Sequence, residues 1–246
     1  MQYPLGNMNA VDTDASRRTT GLLISATNLA EVVLAADRGV DIVDIKDPHR
    51  GALGAADPQL WRAAAEALPP HARLSAALGE ATEAASAAQV PARFAFAKAG
   101  PAGSATVDRL THHWHRIRDQ LPPPVQQVAV AYADHEAADC APPEAILAAA
   151  ARRGLRWFLI DTFVKDGRST LDHLDVARLE NLARSARQAD IRWVLAGSLR
   201  LDEAERWATL RPHFVGLRGD VCERSRTGTL VADRVERWKQ YLARLE

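Results

Sequence analysis

The chain has 246 residues, 47% of them hydrophobic and 25% charged, and its 31 basic and 31 acidic residues cancel. This is the composition of an ordinary globular chain with enough apolar material to bury one large core. The charge balance excludes the strong field expected of a nucleic-acid binder or of a protein that coats an anionic membrane, while leaving room for a local phosphate pocket.

Two cysteines, Cys140 and Cys222, are too few and too far apart for a disulfide framework or a zinc motif, so a reduced, cytoplasmic setting is expected. No run of about 18 apolar residues occurs, so no membrane span is expected. Residues 1–20 are polar and end near Arg17-Arg18. The apolar run that follows, Leu22 to Ile24, gives way at once to Ser25, Thr27 and Asn28. A secretory segment would be longer and less polar, so residues 1–20 are expected to be a flexible N-terminal extension.

From residue 21 on, short apolar runs alternate with longer amphipathic stretches. The predicted strands are Gly21–Ser25, Asp41–Lys46, Arg73–Ala77, Arg93–Lys98, Gln127–Ala131, Arg156–Asp161, Arg192–Ala196 and Phe214–Leu217. Helical patterns include Asn28–Arg38, Ala105–Gln120, Pro143–Arg153, Leu171–Gln188, Asp202–Ala208 and a closing Val231–Leu245. Such alternation implies parallel strands joined by right-handed crossovers. Eight units without a Gly-, Pro- or Ser-rich linker predict one α/β domain over 21–246, a single (β/α)8 TIM barrel, with a doubly wound sheet as the alternative.

Strand parity locates the chemistry. In Asp41-Ile-Val-Asp-Ile-Lys46, Val43 and Ile45 share the face suited to the helix layer, so Asp44 and Lys46 point into the barrel near its C-terminal mouth. In Arg93–Lys98, Phe94, Phe96 and Lys98 share a face by the same count. The sixth strand ends in Asp161, with Lys165 and Asp166 in the loop beyond. These come from strands two, four and six, and inward residues of alternate strands form one layer in such barrels. Clustered, partly desolvated lysines have lowered pKa values, and a neutral amine attacks a carbonyl. Asp44 and Asp161 would orient the amines and carry protons.

After strand seven comes Ala196-Gly197-Ser198, and strand eight runs into Gly216-Leu217-Arg218-Gly219. Glycines let backbone N–H groups approach an anion, and Ser198 and Arg218 would add hydrogen bonds, which suits the phosphate position of this fold. A second anion site has candidates at Ser25, Gly51 and Gly54. His112, His113 and His115 lack i, i+4 ligand spacing and are expected on a solvent face. Trp61, Trp114 and Trp238 are expected to pack on the barrel, and Arg224–Gly228 to form a polar loop near the mouth. Nothing calls for a metal, a flavin or another cofactor, and a homo-oligomer is left open.

Taken together, Asp41–Ala55 (DIVDIKDPHRGALGA), Phe96–Gly100, Ala131–Asp134, Ile160–Gly167, Leu195–Ser198 and Val215–Gly219 resemble the motifs of the (5-formylfuran-3-yl)methyl phosphate synthases, in order from about residue 21 to the C-terminus. The resemblance implies a barrel lyase that joins two molecules of glyceraldehyde 3-phosphate into a furan aldehyde phosphate, with loss of phosphate and water, for methanofuran-type carriers. It implies Lys46 as the Schiff-base residue and Lys98 as proton acceptor, with Asp44, Asp161 and Lys165 in support. The chain departs from the family pattern in its N-terminal extension, at Asp47 where asparagine is usual, and in the Cys222–Gly228 loop. Two other readings stand beside it. One is a different Schiff-base phosphosugar aldolase. The other is a non-catalytic phosphometabolite-binding barrel, which would have no use for inward lysines.

Overall fold

The structure is a computed structural model that describes residues 20–245. The proposed N-terminal extension lies outside the described residues except for Thr20, whose hydroxyl donates to the Pro212 carbonyl. Eight parallel strands close in chain order: β1 Gly21–Ala26, β2 Ile42–Ile45, β3 Arg73–Glu80, β4 Phe96–Gly100, β5 Gln126–Tyr132, β6 Trp157–Asp161, β7 Arg192–Leu195 and β8 Phe214–Leu217, with β8 pairing back on β1. The helices are α1 Leu29–Asp37, α2 Pro58–Ala67, α3 Val107–Gln120, α4 Pro143–Arg152, α5 Thr170–His173, α6 Val176–Gln188 and α7 Ala232–Ala243. The expected (β/α)8 barrel is the fold observed.

Local chemistry sets many of the boundaries. The side chains of Asn28, Asp57, Thr106 and Asp175 each accept a backbone N–H in the first turn of the helix they precede, which satisfies donors a helix leaves open. Asp175 also corrects an expectation. The single helix predicted over Leu171–Gln188 is two, because this carboxylate caps α6 through Arg178 N at 2.7 Å while Ser169 caps the short α5. The helix predicted at Asp202–Ala208 is 3-10 in character, over Leu201–Arg206.

Two apolar layers follow from strand parity. The outer layer packs Leu22, Ile24, Val43, Ile45 and their counterparts against the helices, and Trp61, Trp114 and Trp238 are buried in it. The inner cluster is the filling of the barrel, including Leu23, Ile42, Phe96, Val128, Val130, Leu159 and Val194. Phe94 corrects the parity reading of its segment. It belongs to the outer layer, because residues 91–95 form a turn and the strand begins only at Phe96. Alternation counts only within extended chain.

The floor of the barrel is aromatic. Phe96 meets Trp157 edge-on at 4.8 Å, and Trp157 meets Phe214 at 5.8 Å. Arg192 and Arg73, at the first positions of β7 and β3, lie over the rings of Trp157 and Phe214. Rings and guanidinium planes together seal this end.

Candidate active site

Going up the same strands, apolar side chains give way to charge. Lys46 follows the last residue of β2, and its N–H still donates to Ala26 O at 3.1 Å, so the inward parity of Ile42 and Asp44 carries through to it. Asp44 and Lys98, from β2 and β4, form an ion pair of 2.6 Å with both side chains buried. Asp161 at the end of β6 pairs with Lys165 at 2.6 Å, and Lys165 also donates to Thr162 Oγ1. Ser25 on β1 donates to Asp44 Oδ2 at 3.0 Å.

Lys46 differs from both other lysines. It is 7% exposed, and its hydrogen bond among the described residues is to the Ala52 carbonyl at 3.2 Å, with no carboxylate at ion-pair distance. Burial pushes its pKa down to about 8, while attraction to Asp161 and Asp44 opposes repulsion from Lys165 and Lys98. Burial also raises the Asp161 carboxyl, but Lys165 and Lys46 outweigh that and hold it below the usual carboxylate value. The site therefore contains one amine whose pKa burial lowers to about 8, flanked by two lysine–carboxylate pairs.

These groups line a cavity of about 420 Å³ at the C-terminal mouth, and Gly197, Ser198, Gly216, Arg218 and Gly219 line it as well. All ten residues singled out from the sequence thus converge on one space. Gly197 has φ +92°, and a Cβ there would lie 2.2 Å from Thr170 Oγ1. Ser198 is also left-handed, at φ +52°. Among the described residues, the N–H groups of Gly197, Ser198 and Leu199 donate to no protein acceptor, nor does that of Gly219, which opens a 3-10 turn. Successive free N–H groups in such a turn form an anion-binding concavity.

Arg218 has a different task from the one expected. Its Nε donates to Arg226 O, its Nη1 to Ser25 O and Glu31 Oε2, and its Nη2 to Glu31 Oε1 and Gly228 O. All five N–H donors are occupied, so no guanidinium donor is left for a phosphate. Arg218 and Glu31 instead lock β8, β1, α1 and the 222–230 loop together.

The proposed second-anion candidates are engaged too. Ser25 orients Asp44. Gly54 is required by the turn, because a Cβ would lie 2.2 Å from Asp47 O, and its carbonyl accepts from Asp47 N. Gly51, at φ +107°, gives its carbonyl to Arg226. Asp47 caps the 3-10 turn Pro48–Arg50 through His49 N, a task an asparagine oxygen performs equally well. Asp166 pairs at the surface with Arg168. Cys140 and Cys222 are buried free thiols, with burial pushing them up to about 12 and about 11, so neither is a nucleophile. His112 and His115 are exposed on α3 and His113 is half-buried.

Two further contributors lie in segments to which the sequence assigns no individual role. Asp134, in the loop after β5, accepts from Phe163 N at 2.7 Å and Val164 N at 2.8 Å, fixing the turn that carries Lys165. Arg226, in the 222–230 loop, lines the cavity and reaches Gly51 O at 2.7 Å. An Asp two residues past a strand end is a weak signal, and an arginine in a polar loop is weaker still.

Residues 22–239 match the family described as 4-HFC-P synthase. The chain belongs to that family. Its relatives include the (5-formylfuran-3-yl)methyl phosphate synthase of Methanothermobacter thermautotrophicus, 32% identical across 90% of this chain and 98% of that one, and that of Methanosarcina barkeri, 29% identical across 88% and 96%. Among solved structures, 3-hexulose-6-phosphate synthase from Salmonella typhimurium superimposes with a TM-score of 0.64 at 15% identity, covering 92% of this chain and all of that one. Phosphoribosyl anthranilate isomerase from Thermus thermophilus does so at 0.60 and 18%, with the same coverage. At those identities the likeness is one of fold. Within the 4-HFC-P synthase family, the residues just described are this chain's own version of the barrel mouth.

Proposed function

We propose that this member of the family is a cytoplasmic lyase that condenses two molecules of glyceraldehyde 3-phosphate through an imine on Lys46. The product would be 4-(hydroxymethyl)-2-furancarboxaldehyde phosphate, released with phosphate and water, for building methanofuran-type carriers. The observation that carries the reading is the state of Lys46: buried, at the barrel mouth, without a carboxylate partner, while Lys98 and Lys165 each have one.

The neutral Lys46 amine adds to the aldehyde carbon and loses water to form the imine. The imine acidifies the adjacent C–H, and Lys98, once its own proton has passed to the paired Asp44 carboxylate, takes that proton to leave an enamine. The enamine carbon bonds to the carbonyl carbon of the second aldehyde, whose oxygen gains a proton from the Lys165–Asp161 pair. Ring closure and the eliminations of phosphate and water need acid and base by turns, and two amine–carboxylate pairs on one cavity supply both. The free N–H groups at Gly197–Leu199 and Gly219 would hold one substrate phosphate.

The test is borohydride reduction in the presence of glyceraldehyde 3-phosphate, followed by peptide mass mapping, with the unreduced reaction scanned for a furan-aldehyde ultraviolet band. A reduced adduct on Lys46 together with the band supports the reading. An adduct without the band leaves a Schiff-base aldolase with another acceptor. No adduct, and unchanged phosphate binding by Lys46→Ala, overturns the imine and favours a binding barrel.

A further inference from the structure

Two phosphorylated aldehydes carry two dianionic groups into one cavity, and the N–H concavity between β7 and β8 accounts for one of them. The cations that line the cavity sort by what already holds them. Lys98 and Lys165 are paired with Asp44 and Asp161, Arg218 with Glu31, and Arg200 with Glu203, while Arg234 donates to the Cys222 carbonyl and Arg224 is exposed to solvent. Arg226 has no carboxylate within ion-pair distance among the described residues, and a single hydrogen bond, to Gly51 O, uses one of its five donors. It is half-buried, and the carboxylates that act on it are Asp161 and Asp47.

Its placement is well defined. The Arg226 carbonyl accepts from Arg218 Nε at 2.8 Å, and that arginine is itself anchored on Glu31. The side chain then crosses from the β8 loop to the β2 loop. Arg226 and Lys46 donate to the adjacent carbonyls of Gly51 and Ala52, so both cations stand on the same short stretch of the mouth. A planar guanidinium with free donors beside a carbonyl-attacking amine matches a phosphomonoester on that substrate pair.

We propose that Arg226 grips the second substrate phosphate, so that the site holds two phosphomonoesters at once, one on the β7–β8 N–H groups and one on this guanidinium. The inference deepens the condensation reading and rests on it for the identity of the ligands. The full chain is titrated with inorganic phosphate, counting bound anions by calorimetry and phosphorus NMR, for the wild type, Arg226→Ala and Arg226→Gln. Glutamine removes the charge while keeping a polar, hydrogen-bonding side chain, so it separates loss of the cation from loss of bulk. Two phosphates per wild-type chain and one in either variant are expected. The KM for glyceraldehyde 3-phosphate should rise about 10- to 100-fold, the scale of a lost charge-assisted pair, with the Lys46 adduct still trapped at high aldehyde. One phosphate in the wild type, or two in Arg226→Gln with KM unchanged, overturns the proposal. Should Lys46 fail to trap aldehyde at all, the condensation reading falls, and the phosphate count still decides whether Arg226 is an anion site.

Discussion

The two ends of this barrel are built from the same strands and do opposite things. At the floor, Phe96, Trp157 and Phe214 fill the interior with ring contacts under two arginine caps. A few residues further along, β4 and β6 hold Lys98 and Asp161 at inward positions, Arg218 follows β8 directly, and Asp44 on β2 is followed by Lys46 just past its end. The floor gains stability from apolar burial at about 25 cal/mol per Å². The mouth buries charges whose desolvation costs several kcal/mol each before pairing offsets it. Aromatic packing and buried charge are thus separated along one axis, and on the proposed function substitutions at the two ends should affect different observables.

The sharpest test is Lys46→Met. Activity should fall on the order of a thousandfold with loss of the trapped adduct, while the protein becomes no less stable, because an unpaired buried ammonium has been removed. Its pH behaviour follows from the depressed pKa. In the wild type, Lys46 is protonated below about pH 8 and neutral above it. Its activity contribution should therefore rise to that pH and level off. Unfolded, the same amine has its ordinary value near 10.5, so between the two values the unfolded state binds more protons. Stability from this group is lowest below pH 8 and rises toward 10.5, by on the order of 3 kcal/mol. Denaturant titrations across pH should show that slope in the wild type and not in Lys46→Met.

The converse substitution, Trp157→Ala at the floor, should cost about 3–5 kcal/mol of stability. The fraction that remains folded should keep near-native kcat. A comparable loss of kcat in folded protein would mean the two ends are coupled.

The smallest effect tests the boundary of the mouth. Asp134→Asn keeps one acceptor for the Phe163 and Val164 N–H groups but loses the charge and the second oxygen, loosening the turn beneath Lys165. A fall in kcat of about 10- to 100-fold is expected, the cost of a misplacement of about 1 Å, with imine trapping at Lys46 retained. A change confined to melting temperature would make Asp134 a structural residue only.

How much could be read in the sequence tracks how local each signal is. Alternation inside Asp41–Lys46 is sufficient to aim Lys46 and Asp44 inward, because parity is a property of a few consecutive residues, and Asp161 is placed by its position at the end of the sixth strand. It failed at Phe94, where a turn masquerades as strand, and in the predicted Leu171–Gln188 helix, where a capping aspartate interrupts an otherwise helical pattern. The glycine loops after β7 and β8 were legible because their place in the chain order of this fold is informative. The occupation of Arg218 by Glu31, the clamp of Asp134 on the β6 loop and the reach of Arg226 to Gly51 were not. Each joins residues far apart in the chain, and only the closed ring of strands brings them together.

The Arg218–Glu31 pair has a temporal side. Its partners are 187 residues apart, and β1 finds its second neighbour only when β8 arrives. During synthesis, Lys46 emerges well before Arg218. Until the ring shuts, the lysines are wetted, keep ordinary basicity and have no sealed cavity around them. Closing so long a loop is slow and entropically opposed, so until then the Lys46 amine stays in its ordinary protonated form. On the imine proposal, the eighth strand is the one whose arrival completes the cavity that lowers the basicity of Lys46.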